Sequence, residues 1–222
     1  MQYQLQIEID QAGVQNINST GQSVTIVKSI TSSLSGGNLP VAWLTFSPLE
    51  SNIVTWQENY GLYASTTQAQ AGATIAMTSQ SSGTVQAGWL YTFENGIFSG
   101  ATGVGSTFNV DNQDNAYSFS FGLSQQAIVN NVPVMAPLNC VPVPYNEDAS
   151  FTPIESLSIF LSSYSNNGVV ISQVAGNALA VTLTSQNPTA QIGFNDSNNT
   201  FFLNSSSAQL SASDYATRLA AR

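Results

Sequence analysis

The sequence predicts an all-β fold, an antiparallel β-sandwich type with an internal tandem duplication and a short C-terminal helix. Three observations carry this. Short segments alternate apolar and polar side chains with period two, as half-buried strands do. Clusters of Asn, Gly, Ser and Pro punctuate those segments at turn-like intervals. One phrase occurs twice: Phe46-Ser47-Pro48-Leu49-Glu50-Ser51 returns as Phe151-Thr152-Pro153-Ile154-Glu155-Ser156, each residue at the same spacing from its counterpart. The duplication divides the chain into a first β repeat, residues 1–110, and a second, residues 111–222, either separate or fused into one sandwich.

The elements follow in order. Tyr3, Leu5, Ile7 and Ile9 alternate with Gln4, Gln6, Glu8 and Asp10, a strand with one wet face. A turn-rich stretch around Gly13 and Gly21 leads to a strand over Ser23–Ile30, a loop over Thr31–Pro40 and a strand over Val41–Phe46. Ile53–Gln57 and Leu62–Ser65 read as hairpin partners across Asn59-Tyr60-Gly61, and strands follow at Thr74–Ser79 and Trp89–Phe93. Asn95-Gly96 is a two-residue hairpin turn into Ile97-Phe98, because both residues accept the positive φ of a type I′ turn. Asp111-Asn112-Gln113-Asp114 marks the junction, and Tyr117, Phe119 and Phe121 open the second repeat. Pro133, Pro137, Pro142 and Pro144 make residues 132–145 an edge or an extended loop, since proline cannot donate to a central ladder. Leu157–Leu161 meets Val169–Gln173 through Asn166-Asn167-Gly168, Leu179, Val181 and Leu183 form a strand, and Ile192–Phe202 closes as a hairpin. The helix falls at about 213–221, with Arg218 and Arg222 toward its C-terminus, where cations suit the helix dipole.

The repeated phrase has a local physical reading. Ser47 or Thr152 suits an N-cap, Pro48 or Pro153 the first helical position, and Glu50 or Glu155 the third, which is the order of a capping box. A single helical turn or tight bend feeding a strand is the expectation. It accounts for both carboxylates without the competing reading of a glycosidase acid–base pair.

Charged residues make up 7% of the chain, its net charge is −9, and Lys28, Arg218 and Arg222 are its only cationic side chains. Nucleic acid and anionic membranes are excluded as electrostatic partners, because both must be neutralised by Lys and Arg. A neutral glycan or a neutral lipid surface remains, and a second copy of the chain is compatible with the low charge. The absence of histidine excludes Ser-His-Asp machinery, and a single cysteine excludes the common zinc sites. Lys28 reads as a solvent-facing strand residue beside Val27, and Cys140 as a small buried apolar residue between Leu138 and Val141. Three acidic loops, Asp111 with Asp114, Glu147 with Asp148, and Asn195-Asp196 with Asn198, lack the spacing of a calcium loop and read as turns. No enzymatic activity, cofactor or metal is expected. The first residues carry neither a basic region nor an apolar stretch of the kind a secretory leader needs, so the expectation is a cytoplasmic protein, one exported without a leader, or a mature form, with the compartment left open.

Aromatic residues distinguish the two repeats. Trp43, Trp56 and Trp89 all lie in the first, with Tyr60, Tyr63 and Tyr91 nearby. Trp56 shares a face with Val54 and belongs to the core, whereas Tyr60 is expected to be exposed at a hairpin tip. Tyr60, Tyr63, Trp89 and Tyr91 are the expected ligand-binding residues, since rings with one apolar and one wet side suit sugar stacking. The predicted function is a non-enzymatic, lectin-like protein that binds neutral glycans on another surface. The alternatives are a self-assembling structural subunit of a coat, filament or inclusion, and a membrane-active β-toxin.

Overall fold

The computed structural model describes residues 1–34 and 38–204, so the helix expected at about 213–221 lies outside the described residues. In chain order the elements are β1 (Gln2–Glu8), α1 (Gln11–Ser19), β2 (Ser23–Ser32), β3 (Leu39–Ala42), β4 (Leu44–Phe46), β5 (Ser51–Ser65), β6 (Ser79–Gln80), β7 (Leu90–Glu94) and β8 (Ile97–Ala101). They continue as β9 (Phe108–Asn112), β10 (Ser120–Val129), β11 (Val132–Pro137), β12 (Asn139–Pro142), β13 (Glu147–Ser162), β14 (Val169–Val170), β15 (Leu179–Thr182), β16 (Thr189–Asn195) and β17 (Thr200–Leu203). The chain is mostly β, in two curled sheets. The first sheet runs β14-β3-β12-β10-β5-β1-β16-β17, with β11 and β6 pairing onto β10 and β5, and the second runs β4-β2-β13-β9-β7-β8, with β15 on β13.

Both sheets are mixed, which corrects the expected antiparallel arrangement. β16 comes back from the second sheet to lie parallel to β1, and after the β7–β8 hairpin the chain passes to the other side of β7, where β9 pairs parallel to it. Each sheet also takes strands from both halves of the sequence, and β10, from the second half, pairs with β5 from the first. One large apolar cluster draws on both sheets, with Leu5, Val54, Leu62 and Phe121 from the first and Ile26, Phe93, Phe151 and Ile159 from the second. Each sheet buries part of its other face as well. Val41, Tyr63, Cys140 and Val170 pack with Ile75, and Val27 and Phe160 pack with Ile171. Burial on both sides extends to the polar residues of β2, whose Thr25 and Lys28 are buried along with Val24, Ile26 and Val27.

The stretch around Gly13 is a helix rather than a turn. Asp10 caps α1 by accepting from the Gly13 N–H at 2.7 Å, and Ile17 anchors it to the core. Gly13 is required by close approach, because a Cβ there would lie 2.9 Å from Ile9 Cγ2. Its segment has little amphipathic signal, with only Val14 and Ile17 strongly apolar, so turn composition dominates the sequence reading. The Asn95-Gly96 turn forms as expected, with φ of +51° and +76°.

β5 is one continuous strand, which corrects the hairpin expected at Asn59-Tyr60-Gly61. A bulge takes the place of the turn: β5 advances from Trp56 to Tyr60 while its partner β10 moves only between Ala127 and Gln125. β13 carries a second bulge, since Ile154 faces Ser29 and Leu157 already faces Lys28. Glu155 and Ser156 are the extra residues there. Neither copy of the repeated phrase makes a helical turn. The first is a bend ahead of β5, where the Asn52 side chain accepts from the Leu49 N–H, and the second lies within β13 across its bulge.

The cap on α1 gives a first prediction. Asp10→Ala should lower unfolding stability by about 1 kcal/mol, seen as a lower denaturation midpoint at unchanged denaturant slope.

Candidate functional site

Lys28 lies in the core, which corrects its expected exposure. On β2 it shares a face with Val24, Ile26 and Ile30, all buried in the inter-sheet cluster. Its side chain is 0% exposed, and its Nζ donates to Glu155 Oε1 at 2.5 Å, Gln125 Oε1 at 2.9 Å and the Tyr60 oxygen at 3.2 Å. All three ammonium protons are thereby used. Glu155, on the β13 bulge and 12% exposed, also accepts from Tyr60 OH at 2.9 Å and, through Oε2, from Trp56 Nε1 at 3.0 Å. The Lys28 Nζ lies 5.7 Å from the Trp43 ring centre, 5.8 Å from Trp56 and 5.2 Å from Tyr60, so three aromatic walls surround the charge.

The two bulges build this site. The β13 bulge brings Glu155 beside Lys28 of the neighbouring strand. The β5 bulge sets Trp56 and Tyr60 against the pair from the opposite sheet, and Gln125 Nε2 donates to the carbonyl of bulge residue Gln57 at 2.6 Å. Trp43, the single residue between β3 of one sheet and β4 of the other, donates to the Gln125 carbonyl at 3.2 Å and meets Trp56 edge-on. Burial pushes the Lys28 pKa down against the pull of the Glu155 carboxylate. The Tyr60 phenol is pushed strongly up, first by burial and then by the Glu155 charge. Burial and its hydrogen bond to Glu58 push Tyr3 up to about 12.

The expected aromatic patch does not exist as a surface. Tyr60, Tyr63 and Tyr91 are all buried, and only Trp89 is partly open, stacked on Tyr91 at 6.2 Å. The reason is the continuity of β5, which carries Tyr60 into the inter-sheet core and places Tyr63 beneath the 66–78 segment, its hydroxyl donating to the Asn139 carbonyl. Cys140 is buried in that second cluster, and its thiol is held up by burial. Glu50 is exposed ahead of β5, and Trp56, the β5 residue that touches Glu155, is six residues further on, roughly 20 Å of strand. The two glutamates of the repeated phrase therefore form no acid–base pair.

Two tyrosines that the sequence reading left unassigned line an open groove. Tyr117 is 68% exposed and Tyr145 53% exposed, and both line a concavity of about 610 Å³ that also takes in Asn115, Ser118, Pro142 and Pro144. The Tyr117 ring stands edge-on to Phe119, and both also line a neighbouring concavity of about 430 Å³ with Thr66, Asn95 and Asp114. Two buried polar residues fix these walls. Asp114 accepts from the Gly96 and Ala116 N–H groups, both at 2.9 Å, and Asn112 donates to the Val143 carbonyl at 2.8 Å. Asp114 is thus committed to the backbone, and among the described residues no three His, Cys, Asp or Glu side chains gather to hold a metal ion. No described helix is long and apolar enough to cross a membrane.

No family model, curated protein or solved structure matches the chain.

Two predictions follow from the buried pair and the phenols around it. Lys28→Met should cost about 3–5 kcal/mol, because it leaves the Glu155 charge without its partner. The double variant Lys28→Met/Glu155→Gln should recover most of that loss, measured as a coupling energy by chemical denaturation. On the alkaline side, the raised tyrosines keep their protons in the folded chain while the unfolded chain loses them. Stability should therefore fall as pH rises through about 10 toward 12, by up to about 1.4 kcal/mol per pH unit for each phenol. The lowered Lys28 works in the opposite direction below its ordinary 10.5 and is outnumbered by Tyr3, Tyr60 and Tyr63. Denaturation midpoints that stay flat from pH 9 to pH 12 would contradict this.

Proposed function

We propose that the protein is a non-enzymatic, lectin-like binding protein that takes neutral glycans in the groove between Tyr117 and Tyr145. The observation that carries the reading is this pair of exposed rings lining a concavity with Asn and Ser donors and acceptors. Ring faces cover the apolar C–H side of a sugar while amides and hydroxyls meet its hydroxyl groups. Charge supports a neutral ligand. Lys28 is the only cationic side chain among the described residues, and it is locked in the core, so the groove offers no side-chain cation to a phosphate, sulfate or carboxylate. In this reading the two mixed sheets are the faces of one distorted sandwich, and the repeated phrase is the trace of a duplication whose copies have since taken different conformations.

A second reading rests on the β10–β11 edge. Val132 is 60% exposed and Met135 50% exposed on β11, which pairs only with β10, and Ile128 is exposed beside them. The exposed Val132, Met135 and Ile128 at this edge support self-assembly through apolar contact, although Pro133 and Pro137 limit strand pairing there.

A broad glycan array tests the first reading. A confined set of neutral glycans should bind, and Tyr117→Ala or Tyr145→Ala should each weaken that binding about tenfold, the ~1.4 kcal/mol scale of one well-placed ring, with folding unchanged. Absence of binding together with large particles in light scattering would transfer the assignment to assembly through β11.

A further inference from the structure

We propose that Lys28 and Gln125 join in an intramolecular isopeptide bond, with Glu155 as the acid–base group, so that β2 of one sheet is tied covalently to β10 of the other. The inference stands apart from the glycan reading and rests on one site. The amine nitrogen is 2.9 Å from the Gln125 amide oxygen and 2.5 Å from a Glu155 carboxylate oxygen, so the nucleophile touches both the amide it would attack and the carboxylate that would take its proton. The Gln125 amide is held in one orientation, its oxygen toward Lys28 and its nitrogen donating to the Gln57 carbonyl at 2.6 Å. Trp43, Trp56 and Tyr60 wall the site, and Trp56 Nε1 and Tyr60 OH fix the two Glu155 oxygens. Lys28 and Gln125 belong to different sheets, so the site assembles only once the chain has folded.

The step balances without any added reagent. Glu155 takes a proton from the Lys28 ammonium, and burial, which disfavours the charged amine, assists the transfer. The freed lone pair attacks Gln125 Cδ, the Nζ–Cδ bond forms, and the carbonyl π electrons move onto Oε1. Collapse of that tetrahedral centre breaks Cδ–Nε2. Nζ keeps one of its three protons, and Glu155 passes the other two to the departing nitrogen, which leaves as ammonium while Glu155 returns to carboxylate. Nothing is oxidised or reduced. Fixed contact between the reacting groups supplies the proximity such a transamidation needs, and the aromatic walls limit competition from water. The product would staple the two sheets in a chain whose single cysteine rules out an internal disulfide.

The test is the intact mass of the full chain after prolonged incubation in the folded state. The expected result is a mass lower by one ammonia than the sequence requires, insensitive to reductant, with a branched chymotryptic peptide that joins the Lys28 segment to the Gln125 segment. Lys28→Arg and Glu155→Gln should both show the full sequence mass. Because either variant can fail to fold, wild-type chain held in denaturant from synthesis onward serves as the second comparison, and it too should keep the full mass. A folded wild-type chain at full mass overturns the proposal, as does an ammonia deficit mapped to other residues. Loss of water with Lys28 attached to Glu155 overturns it as well, since the electrophile would then be the carboxyl group.

Discussion

The contact between the Lys28 ammonium and the Glu155 carboxylate is the constraint around which the two sheets are arranged. In a chain with so few charges, the only cationic side chain among the described residues is placed where water cannot reach it. A buried ammonium is tolerable only when every proton has a partner, and the fold supplies these partners from both sheets. Glu155 comes from the strand beside Lys28, Tyr60 and Gln125 from the opposite sheet. Neither β13 nor β5 meets this demand as a regular strand. Each spends extra residues on a bulge at the level of the pair, and the side chain of Gln125 in turn satisfies a carbonyl that the β5 bulge exposes. Elsewhere, uncharged amides do what ion pairs do in more highly charged proteins. Asn52 donates to the Ile7 and Leu49 carbonyls, Asn112 ties the end of β9 to Val143, and Asn139 accepts from the Leu123 N–H.

This arrangement decides what the surface can recognise. With Lys28 withdrawn into the core, the described exterior offers hydroxyls, amides, carboxylates and a few rings. Recognition by such a surface runs on shape, stacking and neutral hydrogen bonds, and carries little of the long-range steering that charge provides. The Tyr117–Tyr145 groove fits that description, and the backbone around it is tied down by two side chains. Asp114 and Asn112 spend their polar atoms on backbone groups at the Asn95-Gly96 turn, the 114–116 segment and Val143. A backbone fixed in this way limits the ordering that ligand binding would otherwise cost.

Much of the fold was legible in the sequence, and the site largely was not. The alternation of Tyr3, Leu5 and Ile7 marks β1, and Asn95-Gly96 marks its hairpin, because both signals are local and carry their own physical cause. α1 escaped because its polar composition imitates a turn, although Asp10 three residues before Gly13 is the cap that announces it. Tyr60 was misplaced because Asn59 and Gly61 are turn residues, and a bulge inside a long strand uses the same residues as a hairpin. Gly61 is there for close packing, since a Cβ would lie 2.8 Å from Ser124 Oγ. Lys28 did leave a signal. It has the parity of Val24, Ile26 and Ile30, and a lone lysine on an apolar face of a strand buried on both sides must have a partner. Glu155 has the parity of Phe151, Leu157 and Ile159 in the same way. What no sequence pattern supplies is the pairing of the two, which depends on a bulge.

A buried ion pair is a poor source of stability by itself, since hydrophobic residues of similar volume often serve as well or better. Its value here lies in alignment. Burial is non-directional, so polar contacts between the sheets add a directional constraint to the packing of Leu, Ile, Val and Phe. Lys28 admits one alignment, in which Gln125 and Tyr60 of the first sheet meet Glu155 of the second. The same geometry that enforces this alignment sets an amine against an amide beside a carboxylate, with water held out by Trp43, Trp56 and Tyr60. Electrostatic need and chemical opportunity thus coincide at one nitrogen. Joining that nitrogen to Gln125 would remove the buried ammonium, would leave the Glu155 carboxylate to the hydrogen bonds from Trp56 Nε1 and Tyr60 OH, and would make the inter-sheet register permanent.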